Sequence, residues 1–514
     1  MGPVREHRSV VAVSSLDLPP GSRLLVSSCE DCACAVTARS STHPLHVRHP
    51  LHVRHPPHVR HPPHRTSRAL LACEDDLLDV HLDAEHSLLF NPRVEGGLLV
   101  LSSAAREVFE SFRSPAEARD VFGNWHGTAA DYESVVDRLI ELGMVQVDGV
   151  SRPTDFGSAS TLTAWLHVTN DCNLRCPYCY VSKSRDEMTE GVGLAAVERV
   201  IASAARHGFS AVKLKYAGGE ASLNHSMVSR LHGHAREFAR ERQVELEATL
   251  LSNGVALPSG FVDFLRHEGI RVMISLDGVG ESHDVQRPFL DGRPSFARVD
   301  ATIAGLLGQG VAPHLSVTIS RRNLRGIPAV VTYALDRGLT FSLNLFREND
   351  CSATFTDLRY EEAEIVECLL AAFDAIEAQL PAWSVLGSVL DRGQLLQPRE
   401  RSCGAGQDYV VIDQRGRISK CHMEMERTLG DVFGSDPLDL VRRGTSGVLN
   451  PAASQKEGCR DCTWKNWCSG GCSVATFRAT GRFDVRSPNC GIYKAIYPQA
   501  LRLEGLRILK YRHL

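Results

Sequence analysis

Over residues 161–349, short apolar runs alternate with longer stretches whose apolar residues recur every three or four positions. The runs 164–168, 211–216, 247–251, 272–276, 314–319 and 341–345 predict strands. Segments 194–207, 226–242, 260–267, 296–307 and 327–336 predict the helices between them. About six strand–helix repeats imply an α/β fold whose parallel sheet is open or curled into a partial barrel. Chemistry in such folds gathers at the C-terminal strand ends, so the residues just after each run are the first candidates.

Three other patterns flank this array. Residues 86–150 read as a small unit, with strands at 87–90 and 97–101 and a helix capped by Ser102 or Ser103. A second helix is capped by Ser114, a third runs from 129 to 142 and stops at Gly143, and 144–147 closes the unit as a strand. The order suggests a winged-helix-like module. Residues 1–85 read as low-complexity and poorly ordered, because His-Pro-Leu-His-Val-Arg and its variants repeat from His43 to Arg65. Proline at that density blocks helix and central strand alike. The repeat is either a linker or, through its eight histidines, a metal-binding tract. Residues 350–400 read as a helical connector and 492–514 as a C-terminal helix.

Composition narrows the class. The chain has 514 residues, 43% of them hydrophobic, and a formal charge of −4. No basic excess points to nucleic acid, and no apolar run approaches the roughly 20 residues of a membrane span. The N-terminus lacks the apolar core of a secretory signal, so a cytoplasmic protein is the expectation. Sixteen cysteines remain to be explained. Three fall in Cys172–Cys179 and seven between Cys403 and Cys490, a clustering that suits metal better than disulfides. Cys29, Cys32, Cys34, Cys351 and Cys368 read as incidental, core or surface thiols.

The first cluster, Cys172-x3-Cys176-x2-Cys179, follows the first strand directly. Three thiolates on one loop can hold three corners of a four-iron cluster and leave the fourth iron open to a small molecule. This motif resembles the signature of the radical S-adenosylmethionine (SAM) superfamily. That resemblance implies a partial (β/α)6 barrel over residues 161–349 and a radical formed by reductive cleavage of SAM. It also implies that Gly218, Gly219 and Glu220, ending the second strand, bind the SAM amino group. Ser275 and Arg287 should contact the methionyl carboxylate, with Asn253 close by. For each of these polar residues the alternative is a turn or a cap.

The later cysteines stand as Cys403-x12-Gly416-x4-Cys421, then Cys459-x2-Cys462-x5-Cys468-x3-Cys472, then Cys490. This spacing, over 401–491, is similar to the SPASM domain, named for subtilosin, quinone-cofactor, sulfatase and mycofactocin maturases. By that resemblance Cys403, Cys421 and Cys472 bind one auxiliary cluster, and Cys459, Cys462, Cys468 and Cys490 a second. With the SAM-binding cluster, three 4Fe-4S clusters are implied; a pair of zinc ribbons is the alternative. Some sulfatase maturases have an eighth cysteine where this chain has Tyr409, and an aspartate, thought to be a base, where it has His422. Both departures weaken a sulfatase-maturase reading.

The 86–150 unit resembles the precursor-peptide recognition module of peptide-modifying enzymes, in which a leader adds a strand to a sheet edge. A packing module without a ligand is the alternative. Together these resemblances imply an oxidoreductase-type maturase that abstracts hydrogen from a ribosomal precursor peptide and closes a C–C or thioether crosslink. Its partners would be the precursor peptide with its leader and an electron donor such as flavodoxin or ferredoxin, with no nucleic acid and no membrane. The alternatives are a formylglycine-forming protein maturase and a non-catalytic iron–sulfur electron carrier.

Overall fold

A computed structural model of the chain describes residues 68–125, 129–387, 390–391, 393 and 395–511, and two short paired strands, Leu25–Val26 (β1) and Val36–Thr37 (β2). The His-Pro repeat and Cys29, Cys32 and Cys34 lie outside the described residues.

The small N-terminal unit starts earlier than residue 86. Leu70–Cys73 (β3) and Leu78–His81 (β4) precede the expected strands His86–Phe90 (β5) and Leu98–Ser102 (β6). Both lie in the stretch expected to be poorly ordered. They are short and separated by the charged Glu74-Asp75-Asp76, which hides their apolar pattern, yet Leu71 is fully buried. After Ser103–Glu110 (α1), Ala116–Glu117 (β7), Ala129–Glu141 (α2) and Val145–Val147 (β8), the unit closes as two three-stranded sheets, β7-β3-β8 and β4-β5-β6. Ser102 caps α1 by accepting the Ala105 amide, as its position predicts.

The central sheet is parallel where the pattern predicts. Thr161–His167 (β9), Ala211–Ala217 (β10), Glu245–Ser252 (β11), Arg271–Ser275 (β12), His314–Ile319 (β13) and Phe341–Leu345 (β14) lie side by side in sequence order. The helices Glu190–Arg206 (α3), His225–Glu241 (α4), Ser259–His267 (α5), Phe296–Gly308 (α6) and Ile327–Asp336 (α7) connect them. Strand alternation sorts the residues by face. On β10, Val212, Leu214 and Tyr216 join the main core, whereas Ala217 joins a separate inner cluster with Trp165, Tyr409 and Val411.

Sequence spacing did not foresee how the cysteine-rich region attaches. Tyr409–Ile412 (β15) runs parallel to β9 in register Tyr409↔Thr163, and Arg417–Ser419 (β16) and Gly430–Asp431 (β17) extend the sheet antiparallel to nine strands. Gly416 turns the β15–β16 hairpin at φ +79°, and a side chain there would press on Val432. The remaining helices used below are Glu362–Ala378 (α8), Pro437–Arg443 (α9), Ser473–Thr480 (α10) and Cys490–Tyr511 (α11).

The N-terminal unit is bolted to the opposite end of the chain. Phe90 of β5 packs 4.8 Å from Trp467 and 6.3 Å from Trp464, ring centre to ring centre. The Trp467 indole donates to Pro92 O at 2.8 Å, and Gly505 of α11 lies against Leu82 and Leu88. Phe90 is fully buried, so Phe90→Ala should cost about 3–5 kcal/mol of stability. The expected result is a lower urea midpoint with early proteolytic release of residues 68–150; an unchanged midpoint would remove this joint from the stability argument.

Candidate functional site

The cysteine loop leaves β9 at Val168 and is stitched to the end of β10. Gly219 N donates to Thr169 O at 2.7 Å and Glu220 N to Asp171 O at 2.8 Å. A Cβ on Gly218 would lie 2.5 Å from Thr169 O, and one on Gly219 only 2.2 Å from Asp171 O. Both contacts are with backbone, which cannot swing aside. The glycines therefore admit the cysteine loop at close range, and both also line the cleft beside Glu220.

The thiols of Cys172, Cys176 and Cys179 face one another, and Lys183 Nζ donates to Cys179 Sγ at 3.1 Å. Burial pushes the Cys176 thiol up to about 12, so without metal it stays protonated. Three thiols on one loop suit iron–sulfur ligation.

The expected SAM contacts divide into two kinds. Glu220 is buried and already accepts the amides of Ser222 at 3.0 Å and Asn253 at 2.5 Å. Those bonds fix the carboxylate at the mouth of β10 and β11 while leaving acceptor capacity for an ammonium. Asn253 donates to Asn173 Oδ1 at 2.7 Å and approaches Cys172 Sγ at 3.8 Å, tying the third strand end to the cysteine loop. Ser275 lines the same cleft, together with Glu220, Asn253, Arg287 and Thr318.

The stretch His283-Asp-Val-Gln-Arg287 sorts itself in the same way. His283 bonds Ser295 at 3.1 Å, Asp284 accepts the amides of Ser295 and Phe296 ahead of α6, and Gln286 bonds Ser320 at 3.0 Å. These three do turn and cap work. Arg287 alone reaches the cleft. Its Nη1 meets Tyr178 Oη and lies 3.4 Å from Asp277 Oδ2. Asp277 is fully buried and also accepts the Thr318 amide at 2.8 Å. Burial pushes the Asp277 carboxyl up, and Arg287 and Tyr178 pull it back. Neither Asp277 nor Tyr178 was singled out from sequence, although Tyr178 sits inside the Cys176–Cys179 motif and Asp277 inside Ser275-Leu-Asp-Gly278.

Two buried donors lining the cleft, Arg287 Nε and Trp165 Nε1, have no hydrogen-bond partner among the described residues. Buried N–H groups left this way fit a ligand rich in acceptor oxygens. The residues present thus fit SAM.

The C-terminal cysteines form two groups. Cys403, Cys421 and Cys472 pack with Ala405, Val448 and Val474 in one small buried cluster. Cys459, Cys462, Cys468 and Cys490 face one another in the second group. Cys472 immediately precedes α10, and Cys490 opens α11. Cys351 is exposed near Tyr180, and Cys368 is buried on α8 with its thiol toward Leu324 O at 3.3 Å.

The residue after Cys421 closes the cleft. His422 stacks on Trp165 with ring centres 4.6 Å apart and an interplanar angle of 15°, and its Nδ1 lies 3.0 Å from Tyr409 Oη. His422 and Met423 line the same cleft as Glu220.

Residues 166–321 match the family model of the Radical SAM superfamily. The chain thus carries a Radical SAM domain over this segment. A 4Fe-4S cluster and SAM come with that superfamily. The enzyme is 24% identical over 352 residues to an uncharacterized protein of Archaeoglobus fulgidus, covering 66% of this chain and 81% of the relative. It is also 24% identical over 346 residues to a PqqA peptide cyclase of Xanthomonas axonopodis pv. citri, covering 64% and 87%. Among solved structures, anSMEcpe with bound AdoMet and a Cp18Cys peptide superposes with a TM-score of 0.54 at 17% identity, covering 66% of this chain and 98% of that one. That likeness speaks for the fold. No described helix is long and apolar enough to cross a membrane.

Proposed function

We propose that this enzyme matures a ribosomally made precursor peptide by abstracting hydrogen from one of its side chains and closing a C–C or thioether crosslink. One observation carries the reading: a single cleft is lined both by Cys179 and Tyr180 of the cysteine loop and by His422, covalently next to Cys421. A side chain held there lies between the site of hydrogen abstraction and an acceptor for the electron left behind. The PqqA peptide cyclases among its relatives support a peptide substrate.

In this reading Cys172, Cys176 and Cys179 hold the SAM-binding cluster. Cys403, Cys421 and Cys472 hold the first auxiliary cluster, and Cys459, Cys462, Cys468 and Cys490 the second. When bound, cluster and SAM together supply a carbon radical able to take hydrogen from unactivated carbon. The chain's own residues position and protect. Glu220 and Arg287 orient the two ends of the methionyl group, Asn253 and Ser275 line the space between, and Trp165 and Tyr180 wall the cleft. His422, fixed by Trp165 and Tyr409, is placed to take the proton released as the crosslink closes. The N-terminal unit captures the leader, and a flavodoxin or ferredoxin supplies electrons.

The test is anaerobic incubation with SAM, reductant and the peptide of the neighbouring short reading frame. A peptide lighter by about two hydrogens, formed in step with 5′-deoxyadenosine, is expected. An unchanged peptide mass over many uncoupled SAM cleavages would overturn the assignment.

A further inference from the structure

Lys456 has no exposed surface, a rare place for an ammonium. It closes the turn that begins at Ala453, three residues before Cys459. Its Nζ lies 3.4 Å from Ser469 O and 3.4 Å from Gly470 O. Those carbonyls belong to Ser469-Gly470-Gly471, the segment joining Cys468 of one cysteine group to Cys472 of the other.

That segment is built around the lysine. All three residues have positive φ, at +49°, +76° and +67°, and Ser469 adopts this region without being glycine. A Cβ on Gly470 would lie 2.4 Å from Lys456 Cδ, so the side chain given up at 470 is the room taken by the lysine stem.

Two neutral carbonyls do not offset a buried charge. Burial pulls the ammonium below its ordinary range, and thiols pull it back: Cys459 and Cys468 of one group, Cys403 and Cys472 of the other. Lys456 therefore stands between the two sets and faces members of each. Iron–sulfur clusters held by thiolates are anionic, and each added electron deepens that charge; a fixed buried cation favours the reduced form.

We propose that Lys456 is a shared positioning residue for both auxiliary clusters, its charge raising the potential of each so that electrons leaving the substrate can be accepted. This rests on the proposed ligation of the two cysteine groups. It accounts for three features together: full burial, left-handed backbone over Ser469–Gly471, and contact with the segment that joins the two groups.

The test uses the full chain, purified without oxygen and reconstituted, with EPR-monitored redox titration of wild type, Lys456→Met and Lys456→Arg. The Met variant keeps the stem and removes the charge. Both auxiliary potentials should fall in the Met variant and stay near wild type in the Arg variant, while the SAM-binding cluster is unmoved. A Met variant that fails to load auxiliary iron while the Arg variant loads it also supports a role for the charge. Unshifted potentials at full iron content would overturn the proposal, as would equal iron loss in both variants, which would make the lysine a packing residue. A wild-type iron count near four instead of about twelve would instead overturn the ligation reading beneath it.

Discussion

Cys176→Ala is expected to abolish reductive cleavage of SAM while leaving about eight of roughly twelve irons in place. Cys176 is the middle thiol of the loop and stands near Cys172, Cys179, Arg287 and Asp277. Removing it leaves two ligands for a cluster that needs three, and no fourth cysteine of the loop can substitute. The C-terminal groups draw on other elements, the ends of β16, α10 and α11, and should assemble independently. The measurement is iron and sulfide content together with 5′-deoxyadenosine release under dithionite. Cleavage at more than a few per cent of the wild-type rate would mean that the loop is not the site of SAM reduction. Loss of all iron would mean that the three sites assemble as one.

The second large effect belongs to Arg287. Its guanidinium partners the buried Asp277 and Tyr178, and its unpartnered Nε lies in the cleft wall. Arg287→Met removes a charge-assisted bond worth about 1.5–3 kcal/mol, which is roughly a 10- to 150-fold loss of SAM affinity. It also strands the Asp277 carboxylate, at a stability cost of about 3–5 kcal/mol. Arg287→Lys keeps the charge and loses the planar fork, so SAM affinity should fall while stability falls less. Equilibrium dialysis with SAM and a urea melt separate the two. If the Met variant bound SAM as wild type does, Arg287 would be a structural partner of Asp277 and nothing more.

Much of this was legible because short-range pattern carries it. The strand at 314–319 and the helix at 327–336 were read to the residue, since β-branched runs and capped amphipathic stretches need only local sequence. The Cys172–Cys179 spacing was legible for the same reason, its three thiols lying on one short loop, whereas the sorting of the later cysteines into two groups came from the SPASM resemblance. Misreadings arose where a residue's task depends on a distant neighbour. Gly218 and Gly219 line the cleft, but that Thr169 and Asp171 press against them could not be read from the sequence. β3 and β4 are too short to announce themselves and are held by partners up to about seventy residues away, as in Leu71↔Val147.

Sequence by itself determined the parallel array, the loop that carries Cys172, Cys176 and Cys179, and the cysteine-rich character of residues 403–490, because each depends on residue type and spacing along the chain. Tertiary structure alone decided that β15 joins the sheet beside β9, that His422 lines the cleft, that Asp277 and Tyr178 brace Arg287, and that Lys456 meets the segment joining two cysteine groups. The reason is physical. Periodicity records which face of an element is buried, but not which surface buries it, and the charge at these sites is set by groups that only folding brings within reach.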